Sequence, residues 1–409
     1  MPCEVLDKGR ILLYIIIIPS KISAERIRIM NFTKLDNFLD FLTGWRIPGN
    51  DCIVIKDGEV VYRHVSGYAE LETKRPMKGD ETYNMWSCSK PVTCAAALTL
   101  LEKGDILLED DITDYLPEFA DIKVKRDLGD GKYELVAPSR MIKIRDLFTM
   151  TSGYSYDVDK QVMVDVKKET EGRCPTREIM KAFAKIPLEG DVGDRWIYGI
   201  SHDILAGLVE VVTGERFRDY VKRVIFDPLD MKDSCFGEAS PEIMARMARQ
   251  YSYDYDTDRH IPSDNRVGFV FGTEYDSGGA GLISTVEDCG KFVYAMANGG
   301  VGLNGNRILS RRTIELMRTP AITPYQRETM NWFWQKGYSY GLGVRTMSEP
   351  TVGGSIGPVG EFGWAGAAGA YMMIDPDNNL AVFYAQHMLS SQEHYTVNRI
   401  RNIVYSIID

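Results

Sequence analysis

Cysteine is scarce in this chain, histidine is scarcer, and runs of a single charge are missing. Seven cysteines occur in 409 residues, at positions 3, 52, 88, 94, 174, 235 and 289. Their odd number, wide spacing and lack of any C-x-x-C argue against a disulfide framework or a zinc site. They read as small buried hydrophobes in a reducing compartment. The five histidines, at 64, 202, 260, 387 and 394, form no H-E-x-x-H, so no metal and no cofactor are expected. No basic tract is present, and 48 Lys and Arg against 58 Asp and Glu give a net charge of −10. That balance excludes nucleic acid and anionic membrane as main partners. Long apolar runs are absent too. The longest, Ile11 to Ile18, follows Lys8 and Arg10 and stops before Pro19, whereas a membrane span needs about 20 residues. As the core of a signal peptide it is at the lower limit, and Ser23-Ala24-Glu25 is a poor cleavage site. A cytoplasmic location is therefore favoured, with export through the 11–18 run as the weaker alternative. What is present is ordinary globular material: 44% apolar, 26% charged and 11% aromatic residues, enough for a sizeable core.

Residues 1–29 form an extension of unknown role, and the amphipathic stretch Phe32-Leu35-Phe38-Leu39-Leu42 opens a single domain over 30–409. From Cys52 to Val61, two β-rich pieces flank Lys56-Asp57-Gly58, a hairpin signal. Pro91 to Lys103 is Ala/Leu-rich and helical, closed by Gly104. Between about 105 and 270 the chain looks mainly helical with long polar loops. It includes a helix from Ser201 to Val212 stopped by Gly214, and a further helix runs from Val286 to Asn298. The last part is β-rich again, at Tyr340–Arg345, Ala370–Ile374 and Leu380–Gln386, before a helix from Val397 to Ile408. Strands at both ends with helices between predict an α+β fold. One antiparallel sheet is built from N- and C-terminal segments (about 30–85 and 270–409), flanked by helices. A mainly helical region, about 86–269, is inserted.

Three short patterns carry candidate chemistry. G-x-G-x-x-G at 300–305 follows a helix rather than a strand, so it offers a phosphate no helix N-terminus and is a cap and turn. G-x-S-x-G around Ser355 is followed by Asp375 or Asp377 and then His387 or His394, the order of an α/β-hydrolase triad. A nucleophile elbow, however, passes from strand straight into helix, and here Pro358 and Gly360 continue a loop. The third is Ser87-Cys88-Ser89-Lys90. A bare S-x-x-K arises about once by chance in a chain like this, so its setting decides. It stands at the mouth of the apolar helix, where positions i and i+3 share a face and let hydroxyl and amine meet. Burial would lower the Lys90 pKa and leave the amine able to take the Ser87 proton. The helix N-terminus would favour a developing oxyanion. Against this stands the plainer reading of an N-cap serine with a solvated lysine, and Pro91 disfavours helical geometry at Lys90.

The surroundings of this motif resemble the serine β-lactamase-related superfamily, which comprises class C β-lactamases, D-alanyl-D-alanine peptidases and family VIII carboxylesterases. The likeness runs from about Asn50 to Gln386. It rests on Ser87–Lys90, Asp146-Leu147-Phe148-Thr149-Met150-Thr151-Ser152-Gly153, the block Tyr198–Gly207, Phe226-Asp227-Pro228-Leu229-Asp230-Met231, Ser277–Thr285 and Phe362–Gly369. The resemblance implies Ser87 as the acyl-accepting nucleophile and Lys90 as its proton partner. It implies Tyr198 as a second base whose phenolate the neighbouring ammonium favours, and an oxyanion hole made by the Ser87 and Ala367 N–H groups. Tyr198 has a plainer reading as core packing. Ile200 replaces the family's Y-x-N asparagine, and Trp364-Ala365-Gly366 replaces K-T-G, closest to the W-G-G of the carboxylesterases. These four residues are expected to line the substrate pocket. With the amide clamp and the lysine gone, the resemblance implies a serine acyl hydrolase, an esterase before an efficient β-lactamase. Its substrates would be small esters, amides or β-lactams. A D-Ala-D-Ala peptidase and a penicillin-binding sensor that acylates without turnover remain the alternatives. The oligomeric state is not legible.

Overall fold

The computed structural model describes residues 30–264, 267, 269–330 and 335–408. The apolar run at 11–18 and the whole extension 1–29 lie outside the described residues. Phe32–Asp409 forms one compact unit.

Its centre is an eight-stranded sheet. The strands are β1 (Gly49–Lys56), β2 (Glu59–Glu70), β3 (Arg75–Pro76), β4 (Tyr338–Tyr340), β5 (Arg345–Met347), β6 (Phe362–Gly363), β7 (Tyr371–Asp375) and β8 (Leu380–Gln386), in the spatial order β4-β5-β6-β7-β8-β1-β2-β3. All neighbours are antiparallel, and β1 pairs with β8 from Asn50↔Gln386 to Lys56↔Leu380. The two ends of the sequence therefore meet in mid-sheet, as the α+β reading expects. Asp57 and Gly58, at φ 53° and 89°, close the β1–β2 hairpin in the left-handed region that such a two-residue turn requires.

Both faces of the sheet are covered, which explains why β8 is buried along its whole length and shows no polar alternation. Ile53, Ile55, Met372, Ile374, Ala381 and Phe383 join the core beneath α4 (Val286–Ala297). The alternate residues Cys52, Val54, Met373, Val382 and Tyr384 face the layer of α1 (Thr33–Trp45) and α5 (Glu393–Ile408). On the α4 side sit α2 (Ser89–Lys103) and α3 (Ser201–Thr213), packed on each other. Residues Ser89 to Leu100 of α2 are all buried, so its hydrophobicity runs all round and it forms the central helix. Lys90 is helical despite the proline that follows it, and Pro91 falls in the first turn, where a missing N–H costs nothing. Gly104, at φ 76°, ends it by giving its N–H to Leu100 and Leu101.

The structure departs from the expected elements most clearly in two places. Tyr340–Arg345 is not one strand but the turn between β4 and β5, because Gly343 takes φ 86° against Cys94. The stretch 105–270 holds two hairpins besides helices, Val124–Gly129 with Lys132–Val136 and Tyr251–Asp254 with Arg259–Pro262. The first is mostly exposed, so its charged sequence carries no apolar alternation to reveal it. At 300–305 the glycines make a cap and a turn, with Gly300 N–H on Ala295 O and Gly302 N–H on Asn306 O.

Candidate active site

Ser87 sits on a sharp turn. The short strand Thr82–Asn84 pairs with Ile283–Thr285, Met85 gives its N–H to Leu282 O at 2.9 Å, and Trp86 then adopts φ 47°. A tryptophan in the left-handed region is an outlier for a bulky residue. Here its indole N–H holds it by donating to Gln250 Oε1 at 2.9 Å. Ser89 Oγ donates to Trp86 O at 2.6 Å and accepts from Leu282 N–H at 2.9 Å, fixing the entry to α2. The helix therefore starts one residue after the Ser87 turn, and Ser87 is left half-buried at its mouth.

Lys90 is fully buried. Its Nζ lies 3.1 Å from Ser87 Oγ, 2.8 Å from Tyr156 OH and 2.7 Å from Gly279 O. Three acceptors suit an ammonium. With one proton gone, the amine keeps two donors for Tyr156 and Gly279 and turns its lone pair to the Ser87 hydroxyl. Burial pushes the lysine down to about 7, against the opposing pull of Asp203. A solvated lysine is thereby ruled out, and the amine is poised near neutrality.

Tyr198 also reaches Ser87. The Lys90 ammonium lies 4.7 Å from its ring centroid, and its hydroxyl accepts the Trp364 indole N–H at 3.1 Å. Burial raises the phenol well above its ordinary value, and the hydrogen bonds with Ser87 and Trp364 only partly offset this. The resting group is thus a neutral phenol, not the phenolate that the resemblance implied.

The segment that follows β6 lies against the Ser87 turn. Cys88 Sγ is 3.8 Å from Trp364 O, and a Cβ on Gly366 would come within 2.3 Å of Met85 O. Gly366 N–H bonds Ala370 O at 2.7 Å and Gly369 N–H bonds Gly366 O at 2.8 Å. This tight turn leaves Ala367 exposed between buried neighbours. Ser87, Lys90 and Tyr198 are brought together, and Gly366 packs on the Met85 carbonyl just before the Ser87 turn. Three expected pocket residues are not on an open wall, and of these Ala365 is 6% exposed in the layer of α1 and α5. Ile200 is 2% exposed and belongs to the main core, where an apolar side chain is driven. Trp364 is 1% exposed, packed with Trp196, Tyr340 and Met150, and touches the site through its N–H. Ser355 accepts from Arg401 Nη1 at 3.3 Å in a loop after a short helix, and His387 bonds Ala248 O at 2.7 Å. That pair makes no elbow. Among the described residues no three His, Cys, Asp or Glu converge as metal ligands.

The sequence reading missed Tyr156, Gly279 and Asp203. Tyr156 stands three residues beyond Thr151-Ser152-Gly153, and the other two lie inside blocks already singled out, Ser277–Thr285 and Tyr198–Gly207. Their positions were visible, but the contacts of Tyr156 and Gly279 with Lys90 and the charge of Asp203 acting on it were not.

An antiparallel sheet between helical layers, with a buried lysine on a half-buried serine, defines a serine enzyme of acyl transfer. The chain matches the Beta-lactamase family over residues 36–404 and belongs to it. Protein Rv1367c of Mycobacterium tuberculosis is 30% identical over 327 residues, covering 78% of this chain and 80% of its own. Esterase EstB of Burkholderia gladioli is 27% identical over 358 residues, 82% of this chain and 85% of its own. Simvastatin synthase (LovD) from Aspergillus terreus superposes with a TM-score of 0.78 at 23% identity, over 92% of this chain and 98% of that one. No helix among the described residues is long and apolar enough to cross a membrane.

Proposed function

We propose that the protein is a serine acyl hydrolase acting on small neutral esters through a Ser87 acyl-enzyme. The observation that carries this is Lys90 Nζ at 3.1 Å from Ser87 Oγ in a fully buried setting. The neutral Lys90 amine takes the Ser87 proton as Oγ bonds the substrate carbonyl carbon. The N–H groups of Ser87 and Ala367 hold the oxyanion. On collapse the carbon–oxygen bond to the leaving alkoxide breaks. The alkoxide takes a proton from the Tyr198 hydroxyl, and Lys90 returns its proton to the phenolate. Water then enters by the reverse proton path, bonds the acyl carbon and releases the acid and the Ser87 hydroxyl. The esterase relative supports this class of reaction.

Position 364 carries an indole buried behind Tyr198, so no cation stands there for a substrate carboxylate. A lost charge-assisted contact is worth about 1.5–3 kcal/mol, or roughly 10- to 150-fold. p-Nitrophenyl acetate should therefore outrun a carboxylated cephalosporin in kcat/KM, and the reverse order would overturn the substrate class. Treatment with a fluorophosphonate should add one adduct to the intact mass, abolished in Ser87→Ala. Label surviving in that variant sinks the assignment. Steady turnover of the ester is expected; a single burst equal to the enzyme concentration would instead favour the sensor that acylates without release.

A further inference from the structure

Beneath Lys90 lies a second polar layer that the acyl-transfer steps leave unused. Asp203, in the first turn of α3, is 2% exposed. Its Oδ1 accepts from Tyr275 OH at 2.8 Å, Ser277 Oγ at 2.7 Å and Gly279 N–H at 3.3 Å. Its Oδ2 has no hydrogen-bond partner among the described residues. A Cβ on Gly279 would come within 2.4 Å of that oxygen, so only glycine lets this turn approach. Burial lifts the Asp203 carboxyl above its ordinary value, while the donors Ser277, Tyr275 and Gly279 and the nearby Lys90 charge oppose that lift, and a proton on Oδ2 would find no acceptor among the described residues. The same Gly279 whose N–H reaches Asp203 offers its carbonyl to Lys90 Nζ at 2.7 Å.

We propose that Asp203 is a positioning residue for acyl transfer: it fixes the Tyr275–Gly279 segment so that the Gly279 carbonyl meets Lys90, and it supplies the buried negative charge that lets Lys90 carry the Ser87 proton. The proposal rests on the acyl-enzyme reading above. The other groups facing Lys90 bring no charge of their own. On its own helix and turn, the Cys88 and Cys94 thiols are held protonated by burial. So are the phenols of Tyr156, Tyr198 and Tyr275 from the neighbouring segments. His202, on α3, is kept neutral, its imidazole pushed down to about 3 by burial first and by Lys90 second. Burial drives Lys90 down and Asp203 lifts it, leaving the amine near neutrality. A buried ammonium formed during catalysis needs such a counter-charge, because without one it is expelled or loses its proton.

The test is the pH dependence of fluorophosphonate labelling of Ser87. In the wild type the rate should rise with a midpoint near the Lys90 value of about 7. Asp203→Asn keeps the shape and removes the charge. Its midpoint should fall by about one pH unit or more, and its alkaline plateau by about 10- to 100-fold, since the lysine becomes a weaker base. Asp203→Glu keeps the charge but displaces it, so its midpoint should stay close to the wild type while the plateau drops. A purely structural aspartate would lower the plateau in both variants and leave both midpoints alone; an unmoved midpoint in Asp203→Asn overturns the proposal. Should Asp203→Asn fail to fold, Asp203→Ser, which also removes the charge, takes its place: its midpoint should fall by about one pH unit or more, and an unmoved midpoint overturns the proposal. Absence of labelling at Ser87 in the wild type would overturn the acyl-enzyme reading itself, a result distinct from any shift in midpoint.

Discussion

Lys90 can accept a proton only as the neutral amine, and its pKa is lowered to about 7 chiefly by burial. The sign follows: ester hydrolysis should climb as pH rises through about 7 and level off above it, where a solvated lysine would place the same rise near its ordinary value of about 10.4. A kcat/KM profile flat from acid to neutral pH would count against Lys90 as the base. Lys90→Met should reduce kcat by about 10²–10⁴-fold with the fold intact by circular dichroism. Trp364→Phe is a subtler probe, since it deletes the N–H that meets Tyr198 OH at 3.1 Å while keeping an aromatic ring. One such bond is worth about 1 kcal/mol, so a fall of roughly tenfold or less in kcat is expected with KM little changed. If KM rises instead, Trp364 touches substrate directly. At this scale the Ser87–Lys90 pair was legible because both residues belong to one local pattern. Asp203 and Tyr156 were not, because their partners lie far along the chain: Ser277 is 74 positions from Asp203, and Tyr156 is 66 from Lys90. Tyr198 was legible as a residue but not in its protonation, which depends on how deeply the fold buries it.

The Ala367 turn is an element whose place hangs on one glycine. Gly366 passes so close to Met85 that an added Cβ would sit 2.3 Å from its carbonyl oxygen, and backbone cannot yield as a flexible side chain can. Gly366→Ala should push the turn away from Ser87 and pull one N–H off the oxyanion. Loss of a single such donor costs about 10²–10³-fold in kcat, with the melting temperature changed far less. A variant with near-wild-type kcat would remove Ala367 from the oxyanion hole. The elements themselves were legible where periodicity or punctuation was strong. Leu380–Gln386 is a strand with the bounds expected, and Gly104 and Gly214 end their helices as expected. Helix α5 begins at Glu393, four residues before the expected Val397, because polar first turns carry no apolar signal. The turn at Gly341–Val344 was hidden inside an apolar stretch whose burial comes from tertiary packing, not from strand pairing.

At the scale of the whole molecule, the pairing of β1 with β8 makes the catalytic face depend on both ends of the chain. Strands β6 and β7 carry the Trp364–Ala367 segment, and their outer face is closed by α5. Arg401 of that helix, 1% exposed, faces the buried Glu361 at 3.5 Å, and Tyr405 donates to Asp375 Oδ2 at 2.8 Å. Removing the helix would strand Glu361 with Arg345 as its remaining cation, at 3.3 Å, and bare the apolar face of Val54, Val382 and Tyr384. Breaking a buried pair by deleting one partner costs about 3–5 kcal/mol before any lost burial is counted, and the total stability of a domain is only about 5–15 kcal/mol. A chain ending at Leu389 should therefore be insoluble or lack near-ultraviolet dichroism, and should not take fluorophosphonate at Ser87. The milder Ile400→Ala, at a fully buried position of the same layer, should cost about 2–5 kcal/mol. It should lower the melting temperature while leaving the labelling rate at 25 °C unchanged, because it touches no group of the site. If the truncated chain stayed soluble and labelled at the wild-type rate, the site would be carried by α2, α3 and the inner strands alone. The second layer would then serve solubility and not the geometry of the Ala367 turn.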